Sequence, residues 1–115
     1  NYWHGEFPYL QDTGYGQTTP VGSFAANGYG LFDMAGNVWE WTTDFYGATR
    51  DSGPCCAADS YDPDQPGTPV ARRVIKGGSF LCADSYCLRY RPAARRPQAV
   101  DTGMSHVGFR CVRNG

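Results

Sequence analysis

The chain has 115 residues and a mass of 12.6 kDa, which is enough for one small domain and too little for two. Glycine and proline together contribute 23 residues (15 plus 8), which disfavours long helices, whereas an aromatic content of 15% argues against disorder. The net charge of −1 provides no bulk attraction to nucleic acid or membranes, and no apolar run approaches the length of about 18 residues that a spanning helix needs. These figures predict a compact fold of short strands and long loops held by aromatic packing, with neither nucleic acid nor membrane as a partner.

The first part of the chain predicts loops, one short helix and one strand. Residues 1–23 are rich in glycine and aromatic side chains with turn chemistry, so we expect loops with one short extended stretch. Three apolar residues between 31 and 35 would share one face of a short helix that ends at Gly36. Residues 38–46 are rich in β-forming side chains and predict a strand.

The second part predicts a long loop and two further strands. Residues 47–69 are polar and contain four prolines and three glycines, which is typical of a loop. Residues 73–80 predict a strand that runs into a glycine pair. Residues 81–97 show no clean periodicity, and residues 107–112 predict a closing strand.

The five cysteines match no zinc spacing, and their odd number argues against a fully paired disulfide framework. Cys82 and Cys87 are the informative pair, and their spacing alone is compatible with a metal site, a disulfide or two packed thiols. Cys55 and Cys56 lie in the predicted long loop, and three interpretations are open: surface thiols, a vicinal disulfide or a feature near the substrate. We assign them no catalytic role. Cys111 stands alone near the end.

Charge is distributed unevenly along the chain. From Arg72 to Arg96 every charged residue is basic except Asp84, whereas residues 1–64 carry nine acids and one base, Arg50. Pairing between the two segments is the ordinary explanation, and a ligand-binding surface is the alternative.

Two segments carry a family resemblance. The sequences N-G-Y-G-L at residues 27–31 and G-N-V-W-E-W at 36–41 resemble a signature of the formylglycine-generating enzyme superfamily. The sequence G-G-S-F-L-C-A-D-S-Y-C-L-R-Y-R at 77–91 closely resembles the active-site segment of the formylglycine-generating (sulfatase-modifying factor) family, and G-F-R-C at 108–111 agrees. The resemblance covers the whole chain and implies that residues 1–115 are the C-terminal part of a single domain whose N-terminal part is absent.

The resemblance implies a fold, an activity and partners. The fold would be α+β, C-type-lectin-like and poor in regular secondary structure. The activity would be that of an oxidoreductase that uses molecular oxygen to convert the cysteine of a C-x-P-x-R sulfatase motif into Cα-formylglycine. Its partners would be that sulfatase polypeptide, O2 and the upstream portion of the same protein. Cys111 would have its disulfide partner upstream.

Copper(I) is the implied cofactor, bound by the thiolates of Cys82 and Cys87, because soft thiolates select Cu(I) over harder ions. Arg89 and Arg91 would favour the thiolate forms. The resemblance also implies active-site roles for Ser79, Tyr86, Trp41 and His106. Core packing is the alternative for Trp41, and a structural hydrogen-bonding role is the alternative for His106.

Structural calcium is the second implied metal. One site would use carbonyls and side chains of the G-N-x-W-E segment, and a surface ion pair is the alternative role for its glutamate. The residues of this site would be Ala35, Gly36, Asn37, Val38 and Glu40. A further site would use Asn1 and Tyr2 with a loop at 13–17 that here lacks the acid the family pattern contains.

Two other functions are considered. A sulfoxide synthase on the same scaffold would need an iron-binding histidine triad, and the chain has only two separated histidines, His4 and His106. A non-catalytic binding module would not need the thiol pair, which is retained here. The absence of an N-x-S/T acceptor favours a cytoplasmic, bacterial-type protein, with the endoplasmic reticulum lumen as the alternative.

Overall fold

The computed structural model describes residues 1–12, 16–47, 57, 60, 66–67, 70–84 and 88–113. Four short strands form one sheet in the order β3-β2-β1-β4. The strands are β1 (Trp39–Phe45), β2 (Arg72–Lys76), β3 (Arg96–Ala99) and β4 (Val107–Gly108). The pairs β1–β2 and β2–β3 are antiparallel, whereas β4 runs parallel to β1. The remaining described residues form turns and loops, so the expectation of short strands and little regular structure is confirmed.

Strand β1 confirms the strand predicted at 38–46 and organises the core. Trp39 and Trp41 are two residues apart and therefore point to the same face of the sheet. Trp41 is in register with Ile75 of β2, and Trp39 is in register with Val107 of β4. The register between β1 and β2 shifts between Trp41 and Phe45. The two tryptophans thus place the aromatic packing at the end of β1 that β4 also reaches.

Strand β2 confirms the second predicted strand, which ends earlier than expected, at Lys76. Gly77 and Gly78 follow with φ of 88° and 72°, a left-handed conformation that glycine adopts without strain. A β-carbon at Gly78 would lie 2.8 Å from the Cα of Tyr90. The glycine pair therefore turns the chain out of the sheet, and the missing side chain of Gly78 lets the backbone of Tyr90 lie against it.

The prediction of a short helix that ends at Gly36 is wrong. No α-helix occurs among the described residues, so the helical part of the α+β expectation is not seen. Asp33 has φ of 53° and Gly36 has φ of 80°, and a left-handed residue at Asp33 interrupts a right-handed helix. Leu31 and Met34, the apolar face of that helix, are 46% and 44% exposed, so no packing face stabilises it.

The last two strands differ from the sequence-based expectation. Strand β3 was not predicted, because Arg96 and Gln98 are polar and Pro97 lacks an amide donor. It occupies an edge of the sheet, where proline is tolerated. The closing strand predicted at 107–112 is limited to Val107–Gly108, and Phe109 beyond it is 75% exposed.

The buried core is small within the part of the chain that the structure describes. Its apolar members are Trp39, Val74, Ile75, Cys82 and Ala83. Large apolar side chains elsewhere are exposed, among them Val21, Tyr29 and Phe109 at 88%, 90% and 75%. Within the described ranges, the structure contains no helix long and apolar enough to cross a bilayer. The long loop predicted at 47–69, with Cys55 and Cys56, lies almost entirely outside the described residues.

Candidate functional site

A tight turn after the glycine pair positions Cys82. The amide of Cys82 donates to the carbonyl of Ser79 at 3.0 Å, and the amide of Leu81 donates to the Ser79 hydroxyl oxygen at 3.3 Å. Ser79 is 1% exposed, and its hydroxyl donates to no residue that the structure describes. The turn therefore places a buried hydroxyl, which has no acceptor among the described residues, three residues before a buried thiol.

Cys82 is 3% exposed and belongs to the central apolar cluster of the molecule. It packs with Trp39 and Ile75, and the partly buried Trp41 and Tyr90 lie against the same cluster. Its carbonyl accepts a hydrogen bond from the amide of Trp3 at 2.8 Å, which ties the first residues of the chain to the turn. These neighbours are apolar, so the thiol lies in the buried centre of the fold.

The loop that follows Cys82 closes on itself. The amide of Leu88 donates to the carbonyl of Ala83 at 3.4 Å, and the hydroxyl of Tyr90 donates to the carboxylate of Asp84. The two ends of the loop therefore meet beside Cys82. Tyr86 and Cys87 lie within the loop and outside the described residues, so their predicted roles stay predictions.

Trp41 lies beside the cluster that contains Cys82. Its half-buried ring packs against the cluster that contains Cys82, and it also lines a cavity of about 510 Å³. Tyr90 and Met34 line the same cavity. Trp41 thus separates the cavity from the thiol cluster, an arrangement compatible both with core packing and with a pocket wall.

His106 lies on the other flank of Trp39. Its carbonyl accepts a hydrogen bond from the amide of Trp39 at 2.8 Å, immediately before the parallel pairing of β1 with β4. Its half-buried ring lines a separate cavity of about 230 Å³ together with Trp39 and Ile75. Both of these neighbours also pack with Cys82. His106 is therefore adjacent to the residues that surround the thiol, and no described contact joins it to Cys82 itself.

The segment expected to bind calcium is organised by Asn37, which is 5% exposed. Its side-chain oxygen accepts from the amide of Thr19 at 2.9 Å and from the side chain of Asn1 at 3.3 Å, and its side-chain nitrogen donates to the carbonyl of Thr19 at 3.2 Å. Its backbone carbonyl accepts from the amide of Phe80 at 2.9 Å. Asn37 has φ of 63°, and a β-carbon on the preceding Gly36 would lie 2.2 Å from the carbonyl oxygen of Asn1. Asn37 therefore joins three chain segments.

Glu40, the only carboxylate of the expected calcium set, forms an ion pair with Arg110. Both carboxylate oxygens accept from the guanidinium, through Nε and Nη2. The same guanidinium donates to the carbonyls of Phe32 at 3.0 Å and Asp33 at 3.3 Å. The hydrogen bond to Glu40 raises the pKa of Arg110 above its ordinary value. This ion pair connects the segment that follows β4 to strand β1.

Two further residues of the site were not singled out by sequence reasoning. Trp39 is 6% exposed and packs with Cys82, and Tyr90 packs against the same cluster and stacks on Tyr2 with ring centroids 4.6 Å apart. Both residues lie inside the recognised sequence segments, and the alternation of β1 was the signal that could have identified Trp39. The ring of Tyr2 also stacks on His4, and its expected role at a calcium site stays a prediction.

Metal binding is not visible as a preformed side-chain cluster. In the part of the chain that the structure describes, no group of three or more His, Cys, Asp or Glu side chains is placed to hold a metal ion. Cys82 is the one member of the expected copper pair that is described. Cys111 is exposed and forms no disulfide with a described residue.

Comparisons with known proteins agree with the sequence resemblance. All 115 residues match the family model described as a sulfatase-modifying factor enzyme 1-like domain. The formylglycine-generating enzyme of Mycobacterium tuberculosis is 53% identical, over 97% of this chain and 39% of that protein. The formylglycine-generating enzymes of Thermomonospora curvata and Mus musculus are 51% and 42% identical, over 97% of this chain in each case and over 37% and 29% of those proteins. The chain thus spans well under half the length of these relatives.

Proposed function

Because this chain belongs to the family of sulfatase-modifying factor enzyme 1-like domains, we propose that it carries the thiol centre of an enzyme that converts a sulfatase cysteine into Cα-formylglycine. The observation that carries the proposal is the turn from Ser79 to Cys82. It places a thiol that is 3% exposed in an aromatic cluster, next to a buried hydroxyl whose proton has no described acceptor.

The proposed reaction is an oxidation with O2 as the acceptor. In the substrate cysteine, the Cβ–S bond and one Cβ–H bond break and a Cβ=O bond forms, so that the carbon is oxidised and the sulfur leaves as hydrogen sulfide. One oxygen atom of O2 enters the aldehyde. The other leaves as water, with two protons and two electrons supplied by a thiol reductant. Amino-acid side chains do not activate O2 unaided, so a redox cofactor is required.

Copper(I) suits the donor chemistry of the described thiol. Cys82 offers a buried sulfur, and thiolates are soft ligands that select Cu(I) over harder ions. We propose that Cys82 and Cys87 hold the ion, the second by resemblance alone. When bound, copper would supply the one-electron reactivity toward O2.

The remaining residues would position and shield the reacting groups. The Ser79 hydroxyl has a proton to donate beside Cys82 and would orient a polar reacting group. Trp39 and Trp41 exclude water from the thiol by packing on its cluster. Tyr90, whose backbone lies against Gly78, holds the end of the loop that contains Tyr86 and Cys87. A role for His106 would have to be exerted through Trp39 or through a ligand in its cavity.

The described geometry gives little support to the calcium proposal. Both oxygens of Glu40 accept from Arg110, and the side chain of Asn37 is satisfied by Thr19 and Asn1. An ion bound there would have to replace these partners or rely on the backbone carbonyls of Ala35, Gly36 and Val38. We therefore derive no functional role from calcium, and the ion stays a prediction, as does the second site at Asn1 and Tyr2.

The partners proposed are a polypeptide with a C-x-P-x-R motif and the rest of the protein. Two relatives are between two and three times as long as the aligned region, since it covers only 39% and 37% of them. The exposed apolar residues around the small core are compatible with further protein packing against this chain. A cytoplasmic location, with the endoplasmic reticulum lumen as the alternative, stays a prediction.

The proposal is tested by incubating the complete protein with Cu(I), O2, a thiol reductant and a C-x-P-x-R peptide, and measuring the aldehyde product by mass spectrometry. We expect time-dependent aldehyde formation. A peptide with alanine in place of the proline and arginine serves as the control and should react far more slowly. No aldehyde from the motif peptide, or equal rates for both peptides, would contradict the proposed substrate and activity.

A further inference from the structure

The cavity beside His106 has an unusual lining for so small a space. Its volume is about 230 Å³, and two arginines, a histidine and a glutamine contribute to its wall. These residues are Arg89, Arg96, His106 and Gln98. No acidic residue lines the cavity among those that the structure describes. A water molecule takes up about 30 Å³ in the liquid, so the space admits several waters or one small organic anion.

Neither arginine of this cavity has a partner within the described part of the chain. Arg89 and Arg96 are both half-buried, and the guanidinium groups form no ion pair or hydrogen bond with a described residue. Two half-buried cations therefore line one cavity without an anionic partner among the described residues. An anion in this cavity would be held by charge-assisted hydrogen bonds.

Other cations of the basic segment are engaged differently. The guanidinium of Arg73 donates to a backbone carbonyl and lies over the ring of Phe45, with 4.3 Å to the centroid. The ammonium group of Lys76 donates to the carbonyl of Pro92 at 2.6 Å, and Arg95 lies 5.2 Å from the ring centroid of Tyr46. Arg89 and Arg96 differ from these cations because they line a cavity and contact neither a carbonyl nor an aromatic ring among the described residues.

We propose that the cavity of Arg89, Arg96, Gln98 and His106 is a binding site for a carboxylate. The planar, forked donors of a guanidinium match the two oxygens of a carboxylate, and Gln98 and His106 offer further donors. The carboxylate would come either from a free small acid or from an acidic side chain of a bound polypeptide. The inference stands on the cavity alone and does not require the proposed oxidase activity.

A carboxylate bound in this cavity would lie close to the cluster that contains Cys82. Trp39 and Ile75 line the cavity and also pack with Cys82, so one layer of side chains separates the anion from the cysteine. The backbone of β3 supports Arg96 opposite Ile75 in the sheet register, which fixes one side of the cavity on a strand. The site is thus attached to the rigid part of the fold.

The test is a titration of the complete protein with sodium acetate at constant pH and ionic strength, followed through the arginine Nε–Hε signals in NMR spectra. We expect saturable shifts of the Arg89 and Arg96 signals. Arg89→Gln and Arg96→Gln should each weaken acetate binding about tenfold, because each removes one charge-assisted contact. Arg91→Gln removes the same charge from an exposed residue outside the cavity and should change the dissociation constant by less than about twofold.

A second titration uses the end-blocked tripeptide Gly-Asp-Gly and distinguishes the two sources of the carboxylate. Binding of acetate alone indicates a free small acid, and binding of both indicates access for a polypeptide side chain; either result supports the site. Absence of saturable shifts with both probes would overturn the proposal. Equal weakening by all three substitutions would also overturn it, because the effect would then be one of net charge. The two cavity variants are independent, so one that folds, as judged by its thermal transition, is sufficient.

Discussion

The backbone of Tyr90 lies directly against Gly78, so that a β-carbon on Gly78 would come within 2.8 Å of the Tyr90 Cα and 2.9 Å of its nitrogen. This contact joins the two ends of the segment that contains both cysteines of the proposed thiol pair. Gly78 begins the turn that leads to Cys82, and Tyr90 closes the loop that follows it through its hydrogen bond to Asp84. The close approach therefore sets the position of the thiol turn relative to the loop.

Gly78→Ala should destabilise the protein by at least about 2 kcal/mol, because the new methyl group meets backbone atoms and the residue must keep φ near +72°. The matched control is Gly30→Ala, where φ is +74° and nothing lies within 4 Å of the added carbon. That change should cost only about 1 kcal/mol for the left-handed backbone. Denaturant unfolding of the complete protein measures both. Equal losses for the two variants would show that the approach of Tyr90 is not restrictive.

Asn37→Ala should lower the free energy of unfolding by about 2–4 kcal/mol. The substitution leaves the Thr19 amide and carbonyl without their partner in a buried position and removes the link to Asn1. Asn27→Ala is the control, since Asn27 is exposed and its side chain only accepts from the amides of Tyr29 and Leu31 in its own turn. It should cost less than about 1 kcal/mol. A cost for Asn37→Ala as small as that of the control would refute the joining role of Asn37.

Arg110→Gln should destabilise the protein by about 1–2 kcal/mol, because the guanidinium bonds to Glu40 and to two carbonyls although it is partly exposed. Arg113→Gln removes the same charge three residues later and should have little effect. The raised pKa of Arg110 means that its contribution is complete below the ordinary arginine pKa and is lost only as the pH rises through the higher folded value. The difference between the variants should therefore be constant from pH 5 to pH 9, and a marked change within that window would contradict the ion pair.

Cu(I) binding should depend on one described cysteine and not on the other. We expect the complete protein to bind one equivalent of Cu(I), as measured by competition with a chromogenic chelator under reducing conditions. Cys82→Ser should abolish this binding, because an alcohol is a poor ligand for a soft ion. Cys111→Ser should leave it unchanged, since Cys111 is exposed and lies outside the thiol cluster. Undiminished binding in Cys82→Ser would place the metal elsewhere.

The sequence predicted the strands that carry strong local patterns and the residues within recognisable motifs. The β-forming residues of β1 and the glycine pair after β2 were placed correctly. The helix before Gly36 was wrong because the left-handed conformation of Asp33 is imposed by tertiary contacts, including the hydrogen bond from the Gly22 amide to its carboxylate. Strand β3 could not be predicted, because its pairing with β2 is non-local and its sequence contains Pro97.

The sequence motif located part of the candidate site, whereas the packing around it could not be predicted from the sequence. The motif located Ser79 and Cys82, and the structure places both in one buried turn. Packing of Trp39 and Tyr90 around the thiol depends on how β1, the glycine pair and the loop meet, which no local pattern encodes. The cavity of Arg89 and Arg96 joins residues from a loop and an edge strand with His106 before β4, so the basic segment alone did not locate it.

The most direct test of the central claim measures the rate of aldehyde formation on a C-x-P-x-R peptide in the presence of Cu(I), O2 and a thiol reductant. The rates of the Cys82→Ser and Cys111→Ser variants of the complete protein are compared with the rate of the unmodified protein. We expect no detectable aldehyde with Cys82→Ser and an unchanged rate with Cys111→Ser, each assayed at a temperature below the thermal transition of the variant. Turnover by Cys82→Ser at the parental rate would contradict the assignment of this chain as the thiol centre of the enzyme.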